Sequence, residues 1–305
     1  MADIPDIDSL LIGLYGDIKT GKTSFMLSMP KPLVDFDFDQ SFDRAAARIL
    51  TQQAGLTYKK VMPEEDLTDE VLDSYDIIVR QYDMPLKMPG APLEGFVDLW
   101  EGKLIPEFLK TLNHAKIKSI GIDTGTLFWM ADHQAQLERV QRESSNKTRQ
   151  RLLPVEYARP NAEARSLLSA VRNKRKNLVA VHHVGPKHGP GYETVRRGGR
   201  EEKVFKPDML IGETWSGFSH LGQIVDVVCR SRIEQGCETC GTSFADSPST
   251  RLEHGTHQLT GKVVPTTEIE YCGYSLQANG MKLENANFDS IYNSVNAMRL
   301  VDATT

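Results

Sequence analysis

Short apolar runs alternate with amphipathic stretches along the first two thirds of the chain. Leu10-Leu11-Ile12-Gly13-Leu14-Tyr15 has the length and glycine boundary of a buried strand, and the amphipathic segment from Lys22 to Met29 predicts a helix stopped by Pro30. Pro32-Leu33-Val34-Asp35-Phe36-Asp37-Phe38 ends in the period-two alternation of a strand. A helix is expected near Ser41 to Thr51, a strand at Asp76 to Tyr82 and a Pro-rich loop from Met84 to Pro92. A helix over Phe96 to Ala115, bent at Pro106, leads into Lys118-Ser119-Ile120-Gly121-Ile122-Asp123, a buried strand ending on a carboxylate. Thr126 to Glu143 reads as a long helix, Ser144 to Arg151 as a mobile loop, Asn161 to Asn177 as a helix with a basic last turn, and Leu178 to Val184 as another strand.

Strands separated by helices in this rhythm require right-handed crossovers, so the expected core is α/β: a doubly wound, mostly parallel sheet covered on both faces. From Gln223 onward the runs become shorter and β-rich, at Ile224 to Ile233, Gln258 to Val264 and Glu268 to Leu276, before a last helix near Phe288 to Arg299. The expected division is a core over 1–222 and a small β-rich C-terminal module over 223–305.

Gly16-Asp17-Ile18-Lys19-Thr20-Gly21-Lys22-Thr23 fits the phosphate-loop pattern and lies where its mechanism requires, between a strand and a helix. The glycines let several backbone N–H groups turn toward a β-phosphate, and the adjoining helix start favours an anion. Lys22 should reach the β- and γ-phosphates, Thr23 should hold magnesium, and Ser24 continues the cradle. Asp123 is the natural second support for magnesium (the Walker B position), with a helix-capping aspartate as the plainer alternative. Asp35, Asp37 and Asp39 alternate along one strand. Asp39, nearest the carboxyl end where ligands bind in open α/β sheets, is the candidate base for the attacking water; the bland alternative makes these acids solvated edge residues. Guanine specificity would need an Asn-Lys-x-Asp motif, and Asn146-Lys147-Thr148-Arg149 and Asn173-Lys174-Arg175-Lys176 both lack the acid. ATP and Mg2+ are therefore the expected ligands.

From Gly185 to Lys206 the chain carries Lys187, Arg196, Arg197, Arg200, Lys203 and Lys206 among five glycines, which predicts a flexible, positive loop. Phosphate contacts from these cations would give sequence-independent, salt-sensitive affinity for nucleic acid, with Tyr192 or Phe205 stacking on a base. Glu193, Glu201 and Glu202 dilute the charge, and a solvated loop without partners is the alternative. A nucleotide kinase with Arg196-Arg197 on a closing lid is a different reading of the same loop. Arg230 and Arg232 share a strand face and suit a pair acting across a subunit boundary; surface charges on an edge strand are the plainer reading.

The 305 residues, with 40% hydrophobic and 25% charged, describe a globular chain, and the net charge of -5 excludes a surface basic all over. The N-terminus is acidic rather than signal-like and no apolar run approaches bilayer length, so the cytoplasm is the expected compartment. Four cysteines there do not make a disulfide framework. Cys237-x-x-Cys240 followed by His254 and His257 is instead a candidate structural zinc site, with Cys229 and Cys272 as substitutes; unligated thiols are the alternative.

The order of these pieces resembles the RecA-like ATPase core, with phosphate loop, strand ending in a catalytic acid, Walker B strand, and strand ending in a polar sensor followed by a loop. In that resemblance Asp39 stands in the place of a catalytic glutamate, Ile120-Gly121-Ile122-Asp123-Thr124 is the Walker B segment, and His183 occupies the sensor position, commonly glutamine. The early phosphate loop and Lys206-Pro207-Asp208-Met209-Leu210 after the basic stretch look like the small RecA-core ATPases of phages associated with single-strand annealing and recombination. The resemblance covers about residues 8 to 235. It implies DNA-stimulated ATP hydrolysis, single-stranded DNA as partner, a homo-oligomeric ring or filament, and a single-strand-binding protein as a further partner. A DNA-binding scaffold that holds ATP without turnover follows if Asp39 is not a competent base.

Overall fold

A computed structural model describes residues 7–17, 19–53, 55–197, 200–218, 220–235 and 263–302. The predicted strand-loop-helix opening is present as β1 (Leu11–Gly16) and α1 (Lys22–Met26), followed by β2 (Leu33–Asp37) and α2 (Phe42–Gln52). Next come β3 (Tyr58–Val61), α3 (Asp69–Ser74) and β4 (Ile77–Gln81). A π-helical run over Asp98–Leu104 leads into α4 (Ile105–Asn113), then β5 (Ser119–Asp123), α5 (Gly125–Glu143), α6 (Ala158–Asn173) and β6 (Asn177–His182). The bend expected at Pro106 is thus a change of helix type. The proline sits in the first turn of α4, where its missing N–H is harmless.

The remainder comprises β7 (Val184–Arg197), β8 (Arg200–Trp215), β9 (Val227–Gln235), β10 (Val263–Cys272), β11 (Lys282–Glu284) and α7 (Phe288–Asp302). Nine strands form one sheet in the order β11-β10-β9-β1-β6-β5-β2-β4-β3, and β7 and β8 form a separate two-stranded ribbon. From β9 across to β3 every pairing is parallel, while β10 and β11 join antiparallel. β6 lies between the phosphate-loop strand β1 and the carboxylate strand β5, which is the RecA-like order.

Alternation within the strands feeds a core on each face. Leu11, Tyr15, Val34 and Phe36 pack with Phe108, Phe128 and Leu168 under α4, α5 and α6. Ile12, Leu14 and Leu33 pack on the opposite face with Phe25, Phe42, Phe288 and Ile291 of α1, α2 and α7.

Two expectations are corrected by this arrangement, and the place of the C-terminal strands is defined. The stretch from Gly185 to Lys206 is not a loop but most of an antiparallel ribbon, with Tyr192 opposite Phe205 and Arg197 opposite Arg200. The chain after residue 222 is β-rich, and its strands join the core sheet: β9 pairs with β1, and β10 and β11 extend the same layer. β2 is an interior strand between β5 and β4, so Asp35 and Asp37 are fully buried rather than solvated edge acids. Among the described residues no helix is long and apolar enough to cross a membrane.

Candidate active site

Gly16 closes β1 opposite Ser231 of β9, and a Cβ there would sit 2.0 Å from the Ser231 carbonyl oxygen. The first glycine of the motif is therefore demanded by strand pairing as well as by the loop. Beyond it the backbone enters the left-handed region at Lys19 (φ 66) and Gly21 (φ 85). Thr20 donates its hydroxyl to Asp17 O at 2.9 Å, and Ser231 donates to Thr20 O at 2.8 Å, so β9 fixes the loop from behind. Ile18 lies outside the described residues. The Lys22 ammonium donates to Gly16 O (2.8 Å) and Asp17 O (2.6 Å), folded onto its own loop. Burial lowers its pKa, opposed by Asp123, Asp17 and Asp39, which favour the charged form.

At the carboxyl end of the sheet three oxygens converge. Thr23 and Ser41 each donate to Asp123 Oδ2 at 2.7 Å, and the two hydroxyls lie 2.9 Å apart. Burial, then the Asp39 charge, raises the Asp123 pKa, while Thr23, Ser41 and Lys22 pull it down. A hard cluster of one carboxylate and two hydroxyls, with the carboxylate short of counter-charge, fits Mg2+. Thr23 and Asp123 were legible in the sequence. Ser41 was not, because a serine after a strand carries no motif and the chain turn after Asp37 delivers it.

Asp39 follows the end of β2 and lines the cleft with Lys22, Thr23, Ser41, Asp123 and His183. Lys19, Thr20, Gly21 and Ser24 complete its phosphate-loop wall, and the cavity measures about 530 Å³. Asp37 stays behind Asp39, accepting from Ser41 N (3.3 Å) and Gln81 Nε2 (3.4 Å); burial and the Asp123 charge push its pKa up to about 6. Asp35, deeper still, has no hydrogen-bond partner among the described residues, and burial raises its pKa well above the ordinary value.

His183 is exposed at the cleft, one residue past β6, where its N–H donates to Thr126 Oγ1 at 3.2 Å. Its neighbour His182, which no sequence motif marks, is buried. His182 Nδ1 lies 3.0 Å from Ser216 O, and burial lowers its pKa to about 4. A Cβ at Gly125 would come within 2.5 Å of His182 Nε2, so the glycine after Thr124 makes room for the ring.

Lys187, Arg196, Arg197, Arg200 and Lys203 all fall on the β7–β8 ribbon, which begins immediately after His183. Its base is tied to the core: Glu213 pairs with Arg230, Arg230 lies 5.7 Å over the Tyr15 ring, and Trp215 meets Tyr15 edge-on at 6.1 Å. Arg230 therefore serves the ribbon's base on an interior strand, not an edge. Cys237, Cys240, His254 and His257 lie outside the described residues. Cys229 and Cys272 are buried, burial holds both thiols protonated, and the described residues contain no metal-ligating cluster of His, Cys, Asp and Glu.

A RecA-like sheet with a phosphate loop and a magnesium corner at its carboxyl end defines a P-loop ATPase. Residues 9–245 match the family model described as an AAA domain, and the chain belongs to that family. ATP and Mg2+ are accordingly its nucleotide and metal. No curated protein matches. Among solved structures the chain is similar to a KaiC-like protein from the hyperthermophilic archaeon Pyrococcus horikoshii, at 10% identity and a TM-score of 0.40, covering 90% of this chain and 84% of that one.

Proposed function

We propose that this ATPase hydrolyses ATP in response to single-stranded DNA, in recombination, annealing or repair of the phage type, and works as a homo-oligomer. The observation that carries the reading is the junction at His183: one residue lines the nucleotide cleft and the next begins the ribbon that holds the predicted cations, against which Glu193, Glu201, Glu202, Asp208 and Glu213 also stand. DNA held along Lys187, Arg196, Arg197, Arg200 and Lys203 would bear directly on the sensor position. Cations and Tyr192 and Phe205 on a two-stranded ribbon suit backbone contact and base stacking without sequence choice.

In this mechanism Lys22 leaves the carbonyls of Gly16 and Asp17 to neutralise the β- and γ-phosphates. Thr23 and Asp123 would hold the magnesium, which when bound would offset charge on the phosphate oxygens. Asp39 accepts the proton of the attacking water, and the polar ring of His183 reports the γ-phosphate to the ribbon.

The test is ATP turnover with and without single-stranded DNA, together with a screen for nucleoside-phosphate acceptors. DNA should raise turnover, Lys22→Ala should abolish it, and Asp39→Asn should lower it by about 10²-fold or more while nucleotide binding persists. Phosphorylation of an acceptor with no response to DNA would replace this reading with a kinase. DNA binding without turnover in any condition would leave a scaffold.

A further inference from the structure

The inner end of the ribbon, residues 213–216, is tied to both strands that carry the site. On the metal side Ser216 O accepts from Thr126 Oγ1 at 2.9 Å and lies 3.0 Å from His182 Nδ1, while Ser216 N donates to His183 O at 2.8 Å. Thr126 belongs to the first turn of α5, next to the strand that ends on Asp123. On the phosphate side Glu213 pairs with Arg230 of β9, and Trp215 meets Tyr15 of β1 edge-on at 6.1 Å. These four residues thus bridge β5 and β1, which β6 separates in the sheet.

Arg230 and Ser231 are consecutive on β9, so their side chains point to opposite faces of the sheet. Arg230 lies over the ring of Tyr15, its register partner on β1, and Tyr15 is fixed in turn by donating to Glu270 of β10 at 2.6 Å. Ser231 is paired with Gly16 and donates to Thr20 O at 2.8 Å inside the phosphate loop. There is no slack at this pairing, since even a Cβ on Gly16 would sit 2.0 Å from the Ser231 carbonyl oxygen. A displacement of β9 at Arg230 is therefore passed to the first residue of the loop and to its Thr20 carbonyl.

We infer that Glu213 is a positioning residue for the nucleotide: through Arg230 and Ser231 it sets the phosphate loop against the metal corner that Ser216 grips, so that nucleotide occupancy and the packing of the ribbon's base depend on each other. The side chain of Arg230 is 15% exposed against 50% for Glu213. Removing the acid leaves a mostly desolvated guanidinium without this counter-charge, which costs far more than an exposed pair is worth and is relieved by moving the strand that carries it. The inference rests on the phosphate loop binding ATP and needs no nucleic acid.

The experiment is equilibrium binding of ATP with Mg2+ to the full chain, to Glu213→Gln, Ser231→Ala and their double variant, and to Lys22→Ala. Each of the first two substitutions should weaken ATP about fivefold or more, and the double variant should be no weaker than the weaker single, because both cut one linkage. Hydrogen exchange of the unaltered chain needs no substitution: ATP should slow exchange of the amides at 213–216, and at saturating ATP this slowing should be lost in Ser231→Ala. Losses that add in the double variant, unchanged affinity in Glu213→Gln, or ribbon-base amides indifferent to ATP would each overturn the inference. ATP binding that is absent from the unaltered chain, or indifferent to Lys22→Ala, would sink the phosphate-loop reading and this one with it.

Discussion

Ser41 and Asp37 show how the site is made from residues that no motif announces. Ser41 gives its hydroxyl to Asp123 and its N–H to Asp37, so the magnesium corner and the buried acid pair are mechanically one object. Asp37 carries a pH signature. Its pKa rises from the ordinary 3.8 to about 6, chiefly by burial and then by the Asp123 charge. Between those values the folded chain holds a proton that the unfolded chain has released, so stability falls as pH rises through the window and the full cost stands above pH 6. By the usual conversion this cost is roughly 3 kcal/mol at most. Asp37→Asn should therefore be more stable than the parent above pH 6 and equal to it below pH 4 in urea denaturation; a constant difference across that range would contradict the assignment. Of these residues, Thr23 and Asp123 were legible because a phosphate loop demands them. Ser41, His182 and Ser231 were not, because each is selected by what lies across the fold from it.

The β7–β8 ribbon is the element that sequence patterning misjudged. Glycines at 185, 189 and 191 and scattered charges spell a loop, yet a two-stranded ribbon needs no apolar face of its own to alternate. A register shift between Gly189 and Gly191 shows where two of those glycines are used, and another beside Lys187 falls opposite Gly212 of β8. The short edge strand β3 escaped for a related reason: Tyr58-Lys59-Lys60-Val61 is polar where it meets solvent and is drawn into the sheet by β4. Since the ribbon is a sheet separate from the core, replacing residues 188–211 by a short turn should leave basal ATP turnover unchanged and abolish its response to single-stranded DNA. Loss of basal turnover in a variant that still melts cooperatively would place the ribbon inside the catalytic machinery instead.

At the scale of the molecule the C-terminal part is structural cement for the site. β9 pairs with β1 along Ile12 to Gly16, Ser231 braces the phosphate loop, and α7 buries Phe288, Ile291 and Val295 on the same face as α1. A chain ending at residue 222 exposes one edge of the phosphate-loop strand and that apolar face. It should fail to melt cooperatively and should lose ATP binding, as calorimetry and nucleotide titration would show; a stable, ATP-binding 1–222 fragment would refute this. What the sequence determined by itself is local: strand and helix periods, the phosphate loop and a carboxylate at a strand's end follow from spacing and from the steric demands of glycine and proline. The tertiary structure alone decided which strand lies beside which, that Asp35 and Asp37 are buried, and that Ser41 joins Thr23 and Asp123. Those outcomes depend on contacts between residues up to 285 positions apart, as between Ile7 and Tyr292, and a pattern read along the chain holds no information on which distant surface will cover it.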